Sequence, residues 1–502
     1  MENLEALLHG FAIAVSFYHI ALMLIGVLLG ILVGVLPGLG APNGVSLLLP
    51  LTFGMQPVSA IILLSSMYWG ALFGGSVTSI LFNIPGEPSS VATTFDGYPM
   101  ARDGRPTTAL ATAFGSAAFG ALVGVVLITL LASWVAKVAL AFGPPEYFAV
   151  YFLAFASFVG MGGPPAIKTV VSLAIGFAIA AIGIDTVSGS VRLTMGIDEL
   201  VKGVSFVVAV MGLFGIGELM IAVEDELHVK AISSKVEWGE VFRTVLHLPR
   251  YGWALVRSAA IGCWMGITPG GPTAASFMSY GIAKRFSGRG RNFGSGEPEG
   301  IIAPETADHA AGTSALLPML SLGIPGSATA AVMMGGLMIW GLNPGPMLFI
   351  EQKEFVWGLI ASMYLGNIVA VILVLLTVPV FAALMRVPFF IMAPMIFIVC
   401  VVGAYSVSNS YLDVVLMMGF GVLGYLFKKL NYPLAPLVLA IVIGDKAEDA
   451  FRQAMLMSQG SLGIFFSNTL VATLVTAGIV LLLLPLVLQL VGVHRRLAPI
   501  DE

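Results

Sequence analysis

The sequence predicts an all-α polytopic membrane protein made of two inverted structural repeats, with Pro-Gly-interrupted helices, re-entrant hairpins and about 10–12 membrane segments. Three observations carry this prediction. The 502-residue chain is 58% hydrophobic and only 10% charged, where soluble domains carry roughly 25% charge. Its mean hydropathy is +0.98. The same Pro-Gly interruption also recurs at matched places in the two halves, which excludes a plain bundle of spanning helices.

The elements follow in order. Residues 11–36 form one long apolar run, enough for a span at about 20 residues per crossing. The run enters Pro37-Gly38-Leu39-Gly40-Ala41-Pro42-Asn43-Gly44 and continues to about Leu51, the pattern of a hairpin turning inside the membrane. Residues 58–82 lead to a break at Pro85, and a polar loop follows with Arg102 and Arg105. Further spans are expected at 108–136, 146–162, 166–184 and 203–222. Residues 223–257 are the most charged connection, with Glu224, Asp225, Glu226, Lys230, Lys235, Glu237, Glu240, Arg243, Arg250 and Arg257. The second half starts near Trp253 and meets breaks at Pro269 and Pro325. It then predicts spans at 356–385, 388–407 and 411–427, a short one at 433–444 and a last one at 463–491. The expected division is a first repeat over 1–222, a cytoplasmic linker over 223–252, a second repeat over 253–462 and a terminal helix and tail over 463–502. The start, Met1-Glu2-Asn3-Leu4-Glu5, lacks a basic region and is not expected to be a cleaved signal.

The repeat rests on order. Asn83-Ile84-Pro85-Gly86 aligns with Gly323-Ile324-Pro325-Gly326 at an offset of 240. Gly34-Val35-Leu36-Pro37-Gly38 aligns with Gly266-Ile267-Thr268-Pro269-Gly270 at 232, and Pro145, Gly160 and Gly176 align with Pro388, Gly403 and Gly419 at 243. One such match would mean little among 59 glycines and 28 prolines, but matched pairs in one order mark homologous halves. Lys and Arg near span ends belong in the cytoplasm. That places Arg102, Arg105, the charged linker, Lys284–Arg291, Arg386, Lys428, Lys429, Arg495 and Arg496 inside, with residues 351–354 and Asp185 outside. Corresponding loops then fall on opposite sides, which makes the repeat inverted.

Each break exposes carbonyls at one half-helix end and amides at the next half-helix start. The amide end suits a carboxylate, which makes Asn83, Pro85, Gly86, Gly323, Pro325, Gly326 and Ser327, with Pro37, Gly38, Pro269 and Gly270, the candidate substrate-binding residues. Ser327 is placed to cap its half-helix. Carbonyls and hydroxyls suit a hard cation such as Na⁺, with Ser76, Thr78, Ser79, Thr313, Ser314 and Ser321 as candidate ligands beside Asn83. The alternative is that these hydroxyls bond the preceding turn and let helices pack closely. Glu87, Glu305, Asp308 and His309 are candidates for a proton or charge role, or loop-end residues within reach of water; Glu218 is a further candidate for such a role, facing the cytoplasm or a neighbouring helix. The breaks read as hydroxyl-rich and poor in buried acids, which favours Na⁺ over H⁺. His19 reads as a hydrogen-bonded core histidine, and Cys263 and Cys400 as packing residues.

No phosphate-binding Gly-x-x-x-x-Gly-Lys-[Ser/Thr] or His-Glu-x-x-His motif occurs, and no cofactor is expected beyond a coupling ion. An intramembrane hydrolase would need a catalytic set that the chain does not display. A channel would expect a ring of subunits rather than an internal pair.

Two groups of motifs resemble the large membrane subunit, the TctA type, of the tripartite tricarboxylate transporters. They are Tyr68-Trp69-Gly70-Ala71-Leu72-Phe73-Gly74-Gly75-Ser76, Asn83-Ile84-Pro85-Gly86-Glu87-Pro88 and Asp96-Gly97-Tyr98-Pro99 in the first half. In the second they are Pro304-Glu305-Thr306-Ala307, Leu322-Gly323-Ile324-Pro325-Gly326-Ser327 and Gly341-Leu342-Asn343-Pro344-Gly345-Pro346. The resemblance runs from about residue 10 to 490 and departs at Asp308-His309, where the family pattern has asparagines. It implies a secondary, cation-coupled importer of organic carboxylates such as citrate in the bacterial inner membrane. It also implies two partners, a small membrane subunit with about four spans and a periplasmic substrate-binding protein. A homodimer is compatible with it, and nucleic acid has no place in it.

Overall fold

The computed structural model describes residues 2–36, 39–161, 166–185, 188–224, 236–268, 271–384 and 389–490. Pro37, Gly38, Asp225, Glu226, Lys230, Lys235, Pro269, Gly270, Arg386, Pro388, Arg495 and Arg496 lie outside the described residues.

The described chain is almost entirely helical. In order the helices are α1 (Glu2–Ala14), α2 (Phe17–Val35), α3 (Gly40–Leu48), α4 (Pro57–Phe82), α5 (Val91–Arg102), α6 (Pro106–Ala139), α7 (Pro144–Met161) and α8 (Ala166–Ala180). A small antiparallel pair, β1 (Gly183–Ile184) and β2 (Val191–Arg192), follows. Next come α9 (Phe206–Val210), α10 (Gly217–Glu224), α11 (Trp238–His247), α12 (Gly252–Ile267), α13 (Gly271–Phe286), α14 (Pro298–Ser314), α15 (Leu316–Leu322), α16 (Ala328–Ile339) and α17 (Leu348–Glu351). The chain ends with α18 (Lys353–Leu384), α19 (Phe389–Ser408), α20 (Tyr411–Lys429), α21 (Leu434–Met457) and α22 (Thr469–Leu490). Five of the described helices are long and apolar enough to cross a membrane, and several shorter apolar helices accompany them. In lipid each backbone polar group needs an internal partner, and helices supply it. The chain is an all-α polytopic membrane protein.

Two predicted runs differ from what forms. The apolar run over 11–36 breaks at Val15–Ser16, because Ser16 caps α2 by accepting from the His19 amide. The His19 ring closes the corner through the Ile13 carbonyl at 2.8 Å and Ser59 Oγ at 3.0 Å, the hydrogen-bonded role its position suggested. The short segment expected at 433–444 is instead a 24-residue helix, since nothing in the polar sequence after Gly444 breaks a helix before Met457. α3 has nine residues and α13 sixteen, both short of the roughly 20 needed to cross.

The helices form two compact units. One contains Met1–Leu140 and Ser205–Leu426, the other Ala141–Val204 and Phe427–Glu502. The compact units therefore do not follow the linear halves, since each draws on both. In the smaller unit, α7 and α8 pack on α21 and α22. Asp185 there accepts from Arg452 at 2.7 Å, and Glu448 accepts from Arg192 at 2.8 Å.

The larger unit is built around α4 and α14. Every residue of α4 from Ser59 to Phe82 is buried, and so is every residue of α14 from Glu299 to Ser314. Small residues let their neighbours approach closely, as lipid-embedded packing requires. On α2, Gly30 and Gly34 sit against the carbonyls of Met67 and Ala71. On α12, Gly262 and Gly266 sit against those of Ala307 and Ala311. The first pair becomes the second by adding 232 to the glycines and 240 to their partners. The neighbours cross over as well. α6 lays Gly120 against Thr306 of α14, and α18 lays Gly366 against Trp69 of α4. Cys263 and Cys400 are buried free thiols.

Candidate functional site

The two breaks have the same backbone. α4 ends at Asn83, whose φ of 57° places it in the left-handed region, and α15 ends at Gly323 with φ 68°. The next amide then turns back to a carbonyl six residues earlier, Ile84 to Thr78 at 3.4 Å and Ile324 to Pro318 at 3.2 Å. Proline supplies no amide to continue the ladder. Behind it, Gly86 lies on the Gly34 carbonyl and Gly326 on the Gly266 carbonyl, too close for any side chain. The chain then restarts from an extended residue, Glu87 in one case and Ser327 in the other.

The restarts differ in chemistry. Ser327 Oγ accepts the Ala330 amide at 3.1 Å, the cap its sequence position predicts, and opens the 12-residue α16. Glu87 forms a capping box with Ser90, whose hydroxyl accepts the Glu87 amide at 3.3 Å. The Glu87 carboxylate also accepts the Ala41 amide at the start of α3.

The six candidate hydroxyl ligands are all buried, whereas Asn83 is exposed. Thr78 donates to the Gly75 carbonyl at 3.1 Å, Ser314 to Ala310 at 2.7 Å and Ser321 to Leu317 at 2.6 Å. Ser79 donates to Ser90 Oγ at 2.9 Å, and Thr313 Oγ1 accepts from Trp69 Nε1 at 3.3 Å. Back-bonded hydroxyls occupy their hydrogen but keep lone pairs. Ser76 differs, because it reaches across to donate to both carboxylate oxygens of Glu305, at 2.8 and 2.9 Å.

The acids are where the structure corrects the sequence reading. Glu305, Asp308 and His309 are not loop-end residues. They lie inside α14 at 1%, 1% and 0% exposure, because the apolar stretch Gly300–Ala303 continues the helix ahead of them instead of ending it. Glu87 does lie in the connection after α4, yet it is 5% exposed. The breaks are therefore not poor in buried acids. Glu218 is buried at the start of α10, which packs on α19 and is not part of this cluster.

Each buried acid has a different set of partners. Glu305 holds Ser76 and also accepts Thr93 Oγ1 at 2.5 Å. Glu87 holds the Ala41 amide. Asp308 has neither: both its carboxylate oxygens lack a hydrogen bond. It lies beside Ser89, whose hydroxyl is also unpartnered, and close to Glu87 and Glu305. The His309 ring stacks on Phe73 with centroids 4.4 Å apart, directs Nδ1 to the Glu305 carbonyl at 3.2 Å and leaves Nε2 unpartnered.

Tyr68 completes the group. Its hydroxyl is buried without a hydrogen bond, beside Ser327 and Thr329 and close to Asp308 and Glu87. Tyr68 and Asp308 are 240 apart, as are Ser89 and Thr329, and Glu87 and Ser327. Each central helix thus turns one polar side chain toward the half-helix start of the other half. Sequence reasoning named Asp308, Glu87 and Ser327 but missed Tyr68, Ser89, Thr93 and Thr329. Applying the 240-residue offset to every polar residue pairs Tyr68 with Asp308.

Asp96 was also missed as a structural residue. Its Oδ1 accepts the amides of Gly294, Gly296 and Glu297 at 2.8–3.0 Å, and its Oδ2 accepts Tyr280 at 3.0 Å. It ties α5 to the segment that starts α14. Among the described residues no group of three or more His, Cys, Asp or Glu is placed to hold a metal ion.

Residues 20–439 match the tripartite tricarboxylate transporter TctA family. The chain is 36% identical over 493 residues, 97% of each chain, to an uncharacterized 52.8 kDa protein of the TAR-I ttuC' 3'region of Agrobacterium vitis. It is 36% identical over 226 residues to an uncharacterized protein of the TAR-II ttuC' 3'region of the same organism, covering 45% of this chain and 93% of that one. No solved structure matches.

Proposed function

The chain belongs to the tripartite tricarboxylate transporter TctA family, and from that premise we propose that it is the large membrane subunit of a cation-coupled importer of organic carboxylates. Membership makes it a transporter subunit that works with other subunits. The finer reading adds a small membrane subunit with about four spans, a periplasmic binding protein that delivers the solute, and the bacterial inner membrane as its location.

One observation carries the reading: two half-helix starts, built alike, share a buried group of unpartnered polar side chains. A half-helix start offers amides and partial positive charge to a carboxylate. Tyr68 beside Ser327 and Thr329 adds a hydroxyl donor at the start of α16. The matched glycine contacts and the exchange of α6 and α18 between the central helices support an inverted repeat, in which α3 and α13 act as re-entrant arms. Alternating access follows when the paired breaks open first to one side and then to the other.

Na⁺ remains the coupling ion that the lone pairs of Ser76, Thr78, Ser79, Thr313, Ser314 and Ser321 are suited to ligate. The burial of Glu87, Glu305 and Asp308 favours H⁺ as a second reading. The test is uptake into proteoliposomes containing the chain, its small subunit and its binding protein. Labelled di- and tricarboxylates are offered with an inward Na⁺ gradient, an inward H⁺ gradient or a matched K⁺ control. Uptake that needs a gradient and the binding protein is expected. Small-ion flux without carboxylate dependence would overturn the proposal in favour of a channel.

A further inference from the structure

Three carboxylates are buried around the breaks, and their partners separate them. Glu305 accepts from Ser76 and Thr93. Glu87 accepts the Ala41 amide and belongs to a capping box. Both are held as acceptors. Asp308 is 1% exposed, and neither oxygen accepts a hydrogen bond. An ionised carboxylate left unpaired in a low-dielectric interior costs far more than a neutral one, so the group takes a proton or a partner.

No permanent cation supplies that partner. From its own helix Asp308 faces Glu305 and the His309 ring, whose Nδ1 is 4.0 Å away and occupied by the Glu305 carbonyl. From the first break it faces Glu87, and from α4 it faces Tyr68. α5 contributes Asp96, already held by four donors. On α12, Arg257 pairs with Glu299 at 3.1 Å, and Cys263 lies beside Ser314. On α13, Tyr280 donates to Asp96. α6 has no charged residue between Arg105 and Lys137, and α15 has none. Asp308 is therefore surrounded by acids and hydroxyls.

We propose that Asp308 is the proton-carrying residue of the transport cycle, taking up one proton on the outer side and releasing it on the inner side. Uptake forms one O–H bond and removes one negative charge. The acid can then donate to the free Ser89 hydroxyl, an interaction the carboxylate makes only with the hydroxyl as donor. Neutral Asp308 lowers the repulsion that a carboxylate substrate would meet near Glu87 and Glu305. Release restores that repulsion and favours substrate exit. Proton and carboxylate thereby help each other to bind, which is what coupling requires. This inference rests on the carboxylate-importer reading and assigns its second coupling ion to a residue.

The experiment compares Asp308→Asn with Asp308→Glu in the complete three-protein assembly. Two readouts are taken on each: accumulation driven by an inward H⁺ gradient, and substrate-for-substrate exchange with no gradient. Asp308→Asn is expected to lower driven accumulation by about tenfold or more and flatten its pH profile, while exchange persists at a reduced rate. Asp308→Glu is expected to restore a pH-dependent profile. An Asp308→Asn assembly that keeps the wild-type pH profile would overturn the proposal. So would equal loss of exchange and accumulation in both variants with unfolding temperatures unchanged, since that marks a positioning residue.

An infrared difference spectrum provides a readout independent of transport. A carboxylic-acid C=O band that titrates with pH is expected in wild type and Glu305→Gln and is expected to vanish in Asp308→Asn. Its presence in Asp308→Asn would overturn the assignment whether or not any carboxylate is carried. Wild type that shows the band but exchanges no carboxylate would instead sink the importer reading alone.

Discussion

The first break, Asn83 to Glu87, and the second, Gly323 to Ser327, share a backbone and differ in side chains. Both end a helix in the left-handed region, return an amide six residues back and press a glycine onto a facing carbonyl. The first break then carries its own acid. Glu87 caps the restart, and Asp96 fastens α5 to the start of α14. The second carries a serine, and the residue 240 beyond Asp96 is Gly336, which has no side chain to fasten α16. One fold element thus supplies a fixed wall in one half and a receptive end in the other. The first restart is capped by one acid, Glu87, while the α16 start presents Ser327, Thr329 and Tyr68 without a charge of their own.

The largest expected effect removes what the breaks share. A methyl group at Gly86 would overlap the Gly34 carbonyl, and one at Gly326 the Gly266 carbonyl. Backbone cannot rotate away as a side chain can, so overpacking here costs about 3 kcal/mol or more. Gly86→Ala and Gly326→Ala should each reduce uptake severely and lower the unfolding temperature to a similar extent. If one variant is tolerated and the other is not, the breaks are not equivalent in packing, and the repeat loses its main support.

Much of this is legible in the amino-acid sequence. Composition and run length gave the fold class, because lipid imposes helices and a minimum length. The offsets of 232 and 240 found both breaks, because glycine and proline act locally and leave a mark in the sequence. The left-handed Asn83 was hidden, since asparagine is as common in loops as in caps. The positions of Glu305, Asp308 and His309 were misread because acids in an apolar chain look like loop ends. The partners of Glu305, Ser76 and Thr93, come from distant parts of the sequence. The division into compact units was invisible for a related reason: helix packing pairs α7 and α8 with α21 and α22, and nothing local in those helices records the choice of partner.

A smaller effect should come from the feature found on one side only. Asp96→Ala leaves the Gly294, Gly296 and Glu297 amides and the Tyr280 hydroxyl without their acceptor. Unmade buried bonds of this type cost about 1–3 kcal/mol each where water cannot replace them. The segment before α14 is part-exposed, so partial rescue by water sets the total near the low end. Lower thermal stability and faster hydrogen exchange at residues 294–297, with α16 unchanged, would sharpen the contrast between a fastened α5 and an unfastened α16. Equal loosening of α16 would remove it.

The smallest effect tests the helix ends themselves. Glycine enters the left-handed region freely, whereas a residue with a Cβ pays about 1 kcal/mol there, and asparagine less than most. Asn83→Gly should therefore shift stability by no more than about 0.5 kcal/mol, with the lower strain offset by a more flexible unfolded chain. Gly323→Ala should cost more than that, because the left-handed strain adds to a contact of 2.6 Å between its new methyl group and the Pro344 carbonyl. Urea unfolding of the two variants in one detergent would measure the difference. If Asn83→Gly is the more damaging, the asparagine side chain has a role at the first break beyond fitting its backbone, and ligation of the coupling ion by Asn83 becomes the reading to pursue.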